Sequence, residues 1–151
     1  MEQFYEHGLR FCCTQCAHCC KDEPGYVFLS DTEISNIAAF LSINQSQFIE
    51  IYCRSVQMDN FYMISLLERS NNDCIFLSDT GCRIYPVRPL QCSSYPFWGS
   101  VLSSEEQWED EAKECPGINN GKLHTKEEIE DWLDKRRAMK PKIVYASKYY
   151  E

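Results

Sequence analysis

Between Phe11 and Lys21 the chain reads Phe-Cys-Cys-Thr-Gln-Cys-Ala-His-Cys-Cys-Lys, so five of its ten cysteines fall within this one stretch. Cys13, Cys16, Cys19 and Cys20 spell C-x2-C-x2-C-C, a spacing that gathers sulfurs onto one helical turn or tight loop and so suits a metal. Adjacent residues have α-carbons about 3.8 Å apart, short of the roughly 4.4 to 6.8 Å that a disulfide spans. Cys19 and Cys20 are therefore poor partners for each other. On a helical turn Cys16, Cys19 and Cys20 share one face; in an extended segment Cys19 and Cys20 point oppositely and can serve two sites.

The remaining length bounds what such a segment can be built into. With 151 residues, 44% hydrophobic and 13% aromatic, the chain can bury one sizeable core. The expectation is a single metal-binding domain over 1–151, with its core at about 11–140 and a tail at 141–151. Met1 to Arg10 alternates charge with aromatics and has no apolar leader, and no apolar run approaches membrane-spanning length. A cytoplasmic protein with no membrane partner is expected. In that reducing setting, dense cysteine usage points to metal ligation or redox chemistry, whereas an oxidising host would permit a disulfide framework. A net charge of −8 disfavours a grip on phosphate backbone, so no nucleic-acid partner is expected. Lys135, Arg136, Arg137, Lys140 and Lys142 read as a solvated basic helix end.

The expected fold class is α+β, with a few helices, a short β-hairpin and long cysteine-bearing loops. Tyr26 to Leu29 is a short β-prone run. Ser30-Asp-Thr-Glu33 has the form of a capping box, followed by Ile34, Ile37, Ala38 and Leu41 at helical spacing. A second helix is predicted over Gln45–Val56, with Phe48, Ile49, Tyr52, Cys53 and Val56 on one stripe, which makes Cys53 a core residue. Met58 to Leu67 suits a strand. Cys74 to Tyr85 reads as a hairpin around Ser78-Asp-Thr-Gly81, and Leu90 to Trp98 as a rigid aromatic loop carrying Cys92. The acidic stretch Ser103 to Glu114 reads as a solvated helix or loop, and Asn119-Asn-Gly121 as a turn. Thr125-Lys-Glu-Glu128 opens a last helix carrying Ile129, Trp132 and Leu133.

With Cys12 and Cys53 set aside, the candidate ligands are Cys13, Cys16, Cys19, Cys20, Cys74, Cys82, Cys92 and Cys115, enough for two four-thiolate sites. Thiolates suit zinc and iron-sulfur clusters and argue against magnesium or calcium, which take oxygen. Cys13, Cys16 and Cys19 match the first three ligands of the bacterial ferredoxin run, but Cys20 follows at once where that run has spacers. The second half offers single cysteines where a zinc ribbon has a second C-x2-C knuckle. His18 fits a supporting or solvated role beside the sulfurs, and His7 and His124 carry no assignment.

These blocks resemble the YkgJ-type CxxCxxCC family, described as zinc- or iron-chelating. The resemblance rests on Cys13-Thr-Gln-Cys16-Ala-His-Cys19-Cys20, on Val27 to Glu33, on Cys74-Ile-Phe-Leu with Gly81-Cys82-Arg-Ile-Tyr85, on Arg88-Pro-Leu-Gln-Cys92 with Tyr95-Pro-Phe, and on Cys115-Pro-Gly117. Cys12 is an extra cysteine beside the motif, and Ala17 stands where many members have glycine. Flagellin lysine N-methylases look like relatives carrying this pattern, and that resemblance implies an iron-sulfur centre and protein modification.

Two functional classes follow. The first is an iron-sulfur or iron protein in redox or protein-modification chemistry, with Arg83, Tyr85 and Arg88 lining the cofactor, the two arginines offsetting thiolate charge, and with a protein partner or substrate. The second is a structural zinc module that mediates protein interaction, or a metal storage or delivery protein. No Ser-His-Asp set, paired catalytic carboxylates or H-E-x-x-H motif supports hydrolysis.

Overall fold

The computed structural model describes residues 3–13 and 26–145, and the architecture is α+β. Cys16, His18, Cys19, Cys20 and the Lys21–Gly25 loop lie outside the described residues. The described chain falls into two compact units, one of residues 3–13 and 94–138, the other of 26–93 and 139–145.

The second unit grows from two capped helices. Helix α1, Asp31–Phe40, starts at Ser30, whose Oγ accepts the Glu33 amide (3.2 Å) while Glu33 Oε1 accepts the Ser30 amide (2.9 Å). Ile34, Ile37 and Ala38 are buried at the expected spacing. Helix α2, Gln45–Tyr52, opens on an Asn44/Gln47 box of the same kind. It ends before Cys53, not at Val56 as the apolar stripe predicts, because the chain pairs from Cys53 onward with a neighbouring strand. In the order of the described chain, β1 is Leu9–Phe11, β2 is Cys53–Gln57 and β3 is Phe61–Leu66. β2 and β3 are antiparallel from Cys53↔Leu66 to Gln57↔Tyr62.

Residues 27–29 run beside β3 through Leu29 N–H to the Ile64 carbonyl and Leu66 N–H to the Val27 carbonyl, but only Phe28↔Ser65 forms a bridge. The run predicted as a strand is thus a single bridge. A tight hairpin joins β4, Leu77–Ser78, to β5, Gly81–Cys82, and the chain turns through a 3-10 turn at Tyr85–Val87 into α3, Leu90–Ser94. Cys92 sits on that short helix, not on a loop, because the Pro89 carbonyl accepts both the Cys92 and Ser93 amides at 2.9 Å. The core of this unit gathers Leu29, Ile34, Ile37, Phe48, Ile64, Leu66, Phe76 and Ile84. Cys53 belongs to it, as expected.

In the first unit, α4, Glu105–Ala112, is capped by Ser104 and buries Trp108 while Glu105, Glu106, Glu109 and Asp110 face solvent. β6, Ile118–His124, pairs with β1, which the sequence reading did not foresee. Leu9 and Arg10 oppose His124 and Leu123, and Phe11 then opposes Ile118, so the Asn119–Lys122 stretch bulges out of the ladder. The predicted Asn119-Asn-Gly121 turn is therefore a bulge inside a strand. Helix α5, Lys126–Ala138, starts at Thr125, whose Oγ1 accepts the Glu128 amide (3.1 Å), and it buries Ile129. Phe97 stacks on Trp108 at 6.0 Å within a core that also holds Tyr5, Tyr95, Cys115 and Ile118.

The last strand, β7, Ile143–Tyr145, returns to the second unit and pairs with β3. Among the described residues no helix is long and apolar enough to cross a membrane.

The ring of Phe76, fully buried, lies 4.9 Å from Tyr52 and 6.4 Å from Phe48. Phe76→Ala is expected to lower stability by about 3–5 kcal/mol, read as a fall in the urea midpoint of the reduced protein. Ile51→Ala, at a half-exposed helix position, should change it by no more than about 0.5 kcal/mol.

Candidate metal centre

The cysteines of the described chain differ in their surroundings, and those surroundings sort them. Cys53 is 7% exposed, and burial pushes its thiol up to about 12. It is a neutral packing group at physiological pH. Cys74, Cys82 and Cys92 are half-buried, Cys115 is buried, and Cys12 and Cys13 are exposed. No disulfide joins any two described cysteines. Among the described residues no three His, Cys, Asp or Glu side chains already form a group able to hold a metal.

Each half-buried cysteine rides on an element too short to set its own geometry. Cys82 closes the two-residue strand β5 opposite Leu77, and both Cys74 and Cys82 pack against the apolar core. Cys74 bridges Glu68 in the preceding chain, while its carbonyl accepts the Leu77 amide that opens the hairpin (3.0 Å). The register thus puts Cys74 before the hairpin and Cys82 on its return strand.

Cys92 is held by long-range contacts. Glu33 Oε2 accepts the Leu90 amide at 2.6 Å, and Gln91 Nε2 donates to the Tyr26 carbonyl at 3.0 Å. Tyr26 is the first described residue after the cysteine segment, so the segment's exit is tied to the turn that carries Cys92. Arg54 lies over the Tyr26 ring at 4.7 Å and faces Glu68 at 3.9 Å, which connects the same exit to the Cys74 bridge.

The segment's entrance is tied to a different cysteine. Cys12 N–H donates to the Gly117 carbonyl (3.2 Å), two residues beyond Cys115. A Cβ on Gly117 would meet the Cys12 carbonyl oxygen at 1.9 Å, and one on Gly121, whose φ is +80°, would meet Cys12 Sγ at 2.7 Å. Both glycines make room for the Cys12 corner. His124 Nε2–H donates to the Phe11 carbonyl (3.0 Å), and its Nδ1 faces Glu128 Oε2 at 3.5 Å. The histidine left unassigned by sequence therefore fixes the backbone leading to Cys13.

Around Cys115 lies a polar group enclosed by aromatics. The Tyr95 hydroxyl donates to Glu111 Oε1 and also lies against Cys115. Burial first, then the bond to Glu111 and the neighbouring charges, push the phenol well above its ordinary value, so Tyr95 stays a neutral hydrogen-bonding group beside this sulfur. Of the residues expected to line a cofactor, Arg83 is exposed, and Arg88 stacks on the Tyr85 ring at 3.8 Å while donating to the Tyr85 carbonyl. Arg88 thus braces the turn that leads to Cys92. Nothing in the local pattern of Glu33, Gln91, Gly117 or His124 advertises these contacts, since each reaches a residue far along the chain.

The donors on these elements are sulfur, and a soft, thiolate-only set fits zinc, iron or an iron-sulfur cluster. The chain is thus a cysteine-rich α+β protein whose donors have the chemistry of a soft-metal binder. A family model, CxxCxxCC, described as "Putative zinc- or iron-chelating domain", matches residues 12–116, and this chain belongs to that family. It is also 35% identical over 95 residues to "Uncharacterized protein MJ0661" of Methanocaldococcus jannaschii, an alignment covering 62% of this chain and 48% of that protein. The chain thus spans about half the length of this curated relative. No solved structure matches.

Two outcomes follow from these surroundings. Gly117→Ala should lower thermal stability by about 2 kcal/mol or more and lower the metal-to-protein ratio, whereas Gly99→Ala, whose new Cβ meets nothing within 4 Å, should change neither. With iodoacetamide at pH 8, Cys12 and Cys13 of the metal-stripped protein should be alkylated well before Cys53, as peptide mapping would show. Below its ordinary value of 9.0 the Cys53 thiol is protonated folded or unfolded; between 9.0 and about 12 only the unfolded chain releases the proton, so stability falls as pH rises through that window.

Proposed function

We propose that the protein carries an iron-sulfur cluster, or iron, held by thiolates from Cys13, Cys16, Cys19, Cys20, Cys74, Cys82, Cys92 and Cys115, and acts in redox or protein-modification chemistry on a protein partner or substrate. The observation that carries this reading is the anchoring of the cysteine segment. Its entrance is pinned beside Cys115 through Cys12 and Gly117, and its exit beside Cys92 through Tyr26 and Gln91. Each described flank is thus held next to a cysteine-bearing turn of its own unit, which supports reading those cysteines as ligands together with those of the motif. Its chemistry supports iron as well: sulfur donors carry clusters, and a neutral phenol beside Cys115 is the kind of hydrogen-bonding group that tunes cluster potential. In the same reading Arg83, Tyr85 and Arg88 line the cofactor, with the two arginines offsetting thiolate charge near Cys82 and Cys92.

One observation favours the structural zinc reading. β4 and β5 have two residues each and α3 has five, and elements of that size gain most from a metal that ties them down. Under it the metal supplies folding energy and the surface engages a protein.

Anaerobic purification followed by assay of iron, zinc and acid-labile sulfide separates the two. Brown protein with matched iron and sulfide supports the cluster; colourless protein with stoichiometric zinc supports the structural module, and the absence of all three refutes both. Single Cys13, Cys19, Cys74 and Cys92 to serine variants should lose metal, while Cys53→Ser should keep its metal and lose only stability.

A further inference from the structure

We propose that Glu33 is a positioning residue of the metal centre, a carboxylate that sets the place of Cys92 by joining the cap of α1 to the first amide of α3. The inference rests on the reading of Cys92 as a ligand.

Glu33 is half-buried, and its two oxygens do different jobs. Oε1 completes the capping box with the Ser30 amide, a bond within one turn. Oε2 reaches the Leu90 amide, 57 positions away in the chain, at 2.6 Å. A cap needs only the first bond.

The second bond falls where α3 most needs it. A five-residue helix repays almost none of its nucleation cost, so its orientation must come from outside. The Leu90 N–H is among the first amides of that helix, which have no partner within it. Pro89, fully buried, fixes the chain on one side, and its carbonyl accepts the Cys92 amide; Glu33 fixes the amide between them. A charge-assisted bond two residues from a ligand leaves that sulfur little freedom. Gln91 adds a tether on the other side of Leu90. Removing a hydrogen-bond partner of a metal ligand typically changes metal affinity about ten- to hundredfold, the scale against which loss of the Glu33 bond is read.

The fold supplies its own control. The Asn44/Gln47 capping box on α2 matches the Ser30/Glu33 box, yet the Gln47 amide oxygen bonds Asn44 and lies on a helix that carries no candidate ligand. Gln47→Ala therefore removes the matching cap bond without touching an element that carries a candidate ligand.

The test is zinc(II) titration of the anaerobically reduced, metal-stripped full chain in competition with a chromogenic chelator, with apo-protein Tm measured alongside. Both variants should lose Tm, Glu33→Ala at least as much as Gln47→Ala, but only Glu33→Ala should bind zinc about tenfold or more weakly, with Gln47→Ala within about twofold of wild type. Equal weakening by both variants, or wild-type affinity in Glu33→Ala, overturns the inference. Should Glu33→Ala not fold, Glu33→Gln is read against the same limits, since a single amide oxygen cannot accept from both Ser30 and Leu90 in the same geometry. Cys92→Ser separates the two levels. Weakened zinc binding in Cys92→Ser with unaffected Glu33 variants rejects the positioning role alone, whereas wild-type affinity in Cys92→Ser rejects Cys92 as a ligand and the inference with it.

Discussion

The structure turns on the fact that the described candidate ligands sit in turns or on elements too short to hold themselves. A two-residue strand or a five-residue helix has almost no stability of its own, so the described cysteines on such elements are placed by bonds from outside the element. Glu33 and Gln91 hold the Cys92 turn, the Glu68 bridge holds Cys74, and the Cys115-Pro-Gly turn closes on Cys12. The helices α1, α2, α4 and α5 are stable through caps and apolar faces, and they serve as the frame on which these turns are mounted.

That division explains what could be read from the sequence. Capping boxes and apolar periodicity are local, so α1 and α5 were legible to within a residue at their starts, and Cys53 was legible as core. The boundary of α2 was not. Cys53 and Val56 continue a helical stripe, but the same residues also suit a strand, and pairing with Phe61–Leu66 decided the matter. β1 escaped notice because Leu9–Phe11 is short and its partner lies more than a hundred residues away, across a bulge that sequence shows only as a turn. Glu33 was legible as a cap and not as a clamp, since its second bond depends on the folded position of Leu90.

Charge adds a further constraint. Thiolates carry negative charge into a protein whose net charge is already −8, and like charges held close together repel. The arginines expected to offset this are not interchangeable. Arg83 is exposed, while Arg88 spends its guanidinium on the Tyr85 ring and carbonyl, so its effect on Cys92 is exerted chiefly through the turn it braces. A bound cation is then the direct way to neutralise the sulfurs.

The cysteines also differ in how far water reaches them, and this bears on what a metal held by them can do. Cys115 is 4% exposed, within an aromatic core and against a phenol that remains neutral, whereas Cys74 and Cys82 are half-buried against the core of their own unit and Cys92 is half-buried on α3. A thiolate screened from water depends on protein hydrogen bonds for its stabilisation, and such bonds tune metal potential and affinity. The more accessible sulfurs are the ones open to exchange, oxidation or contact with a partner.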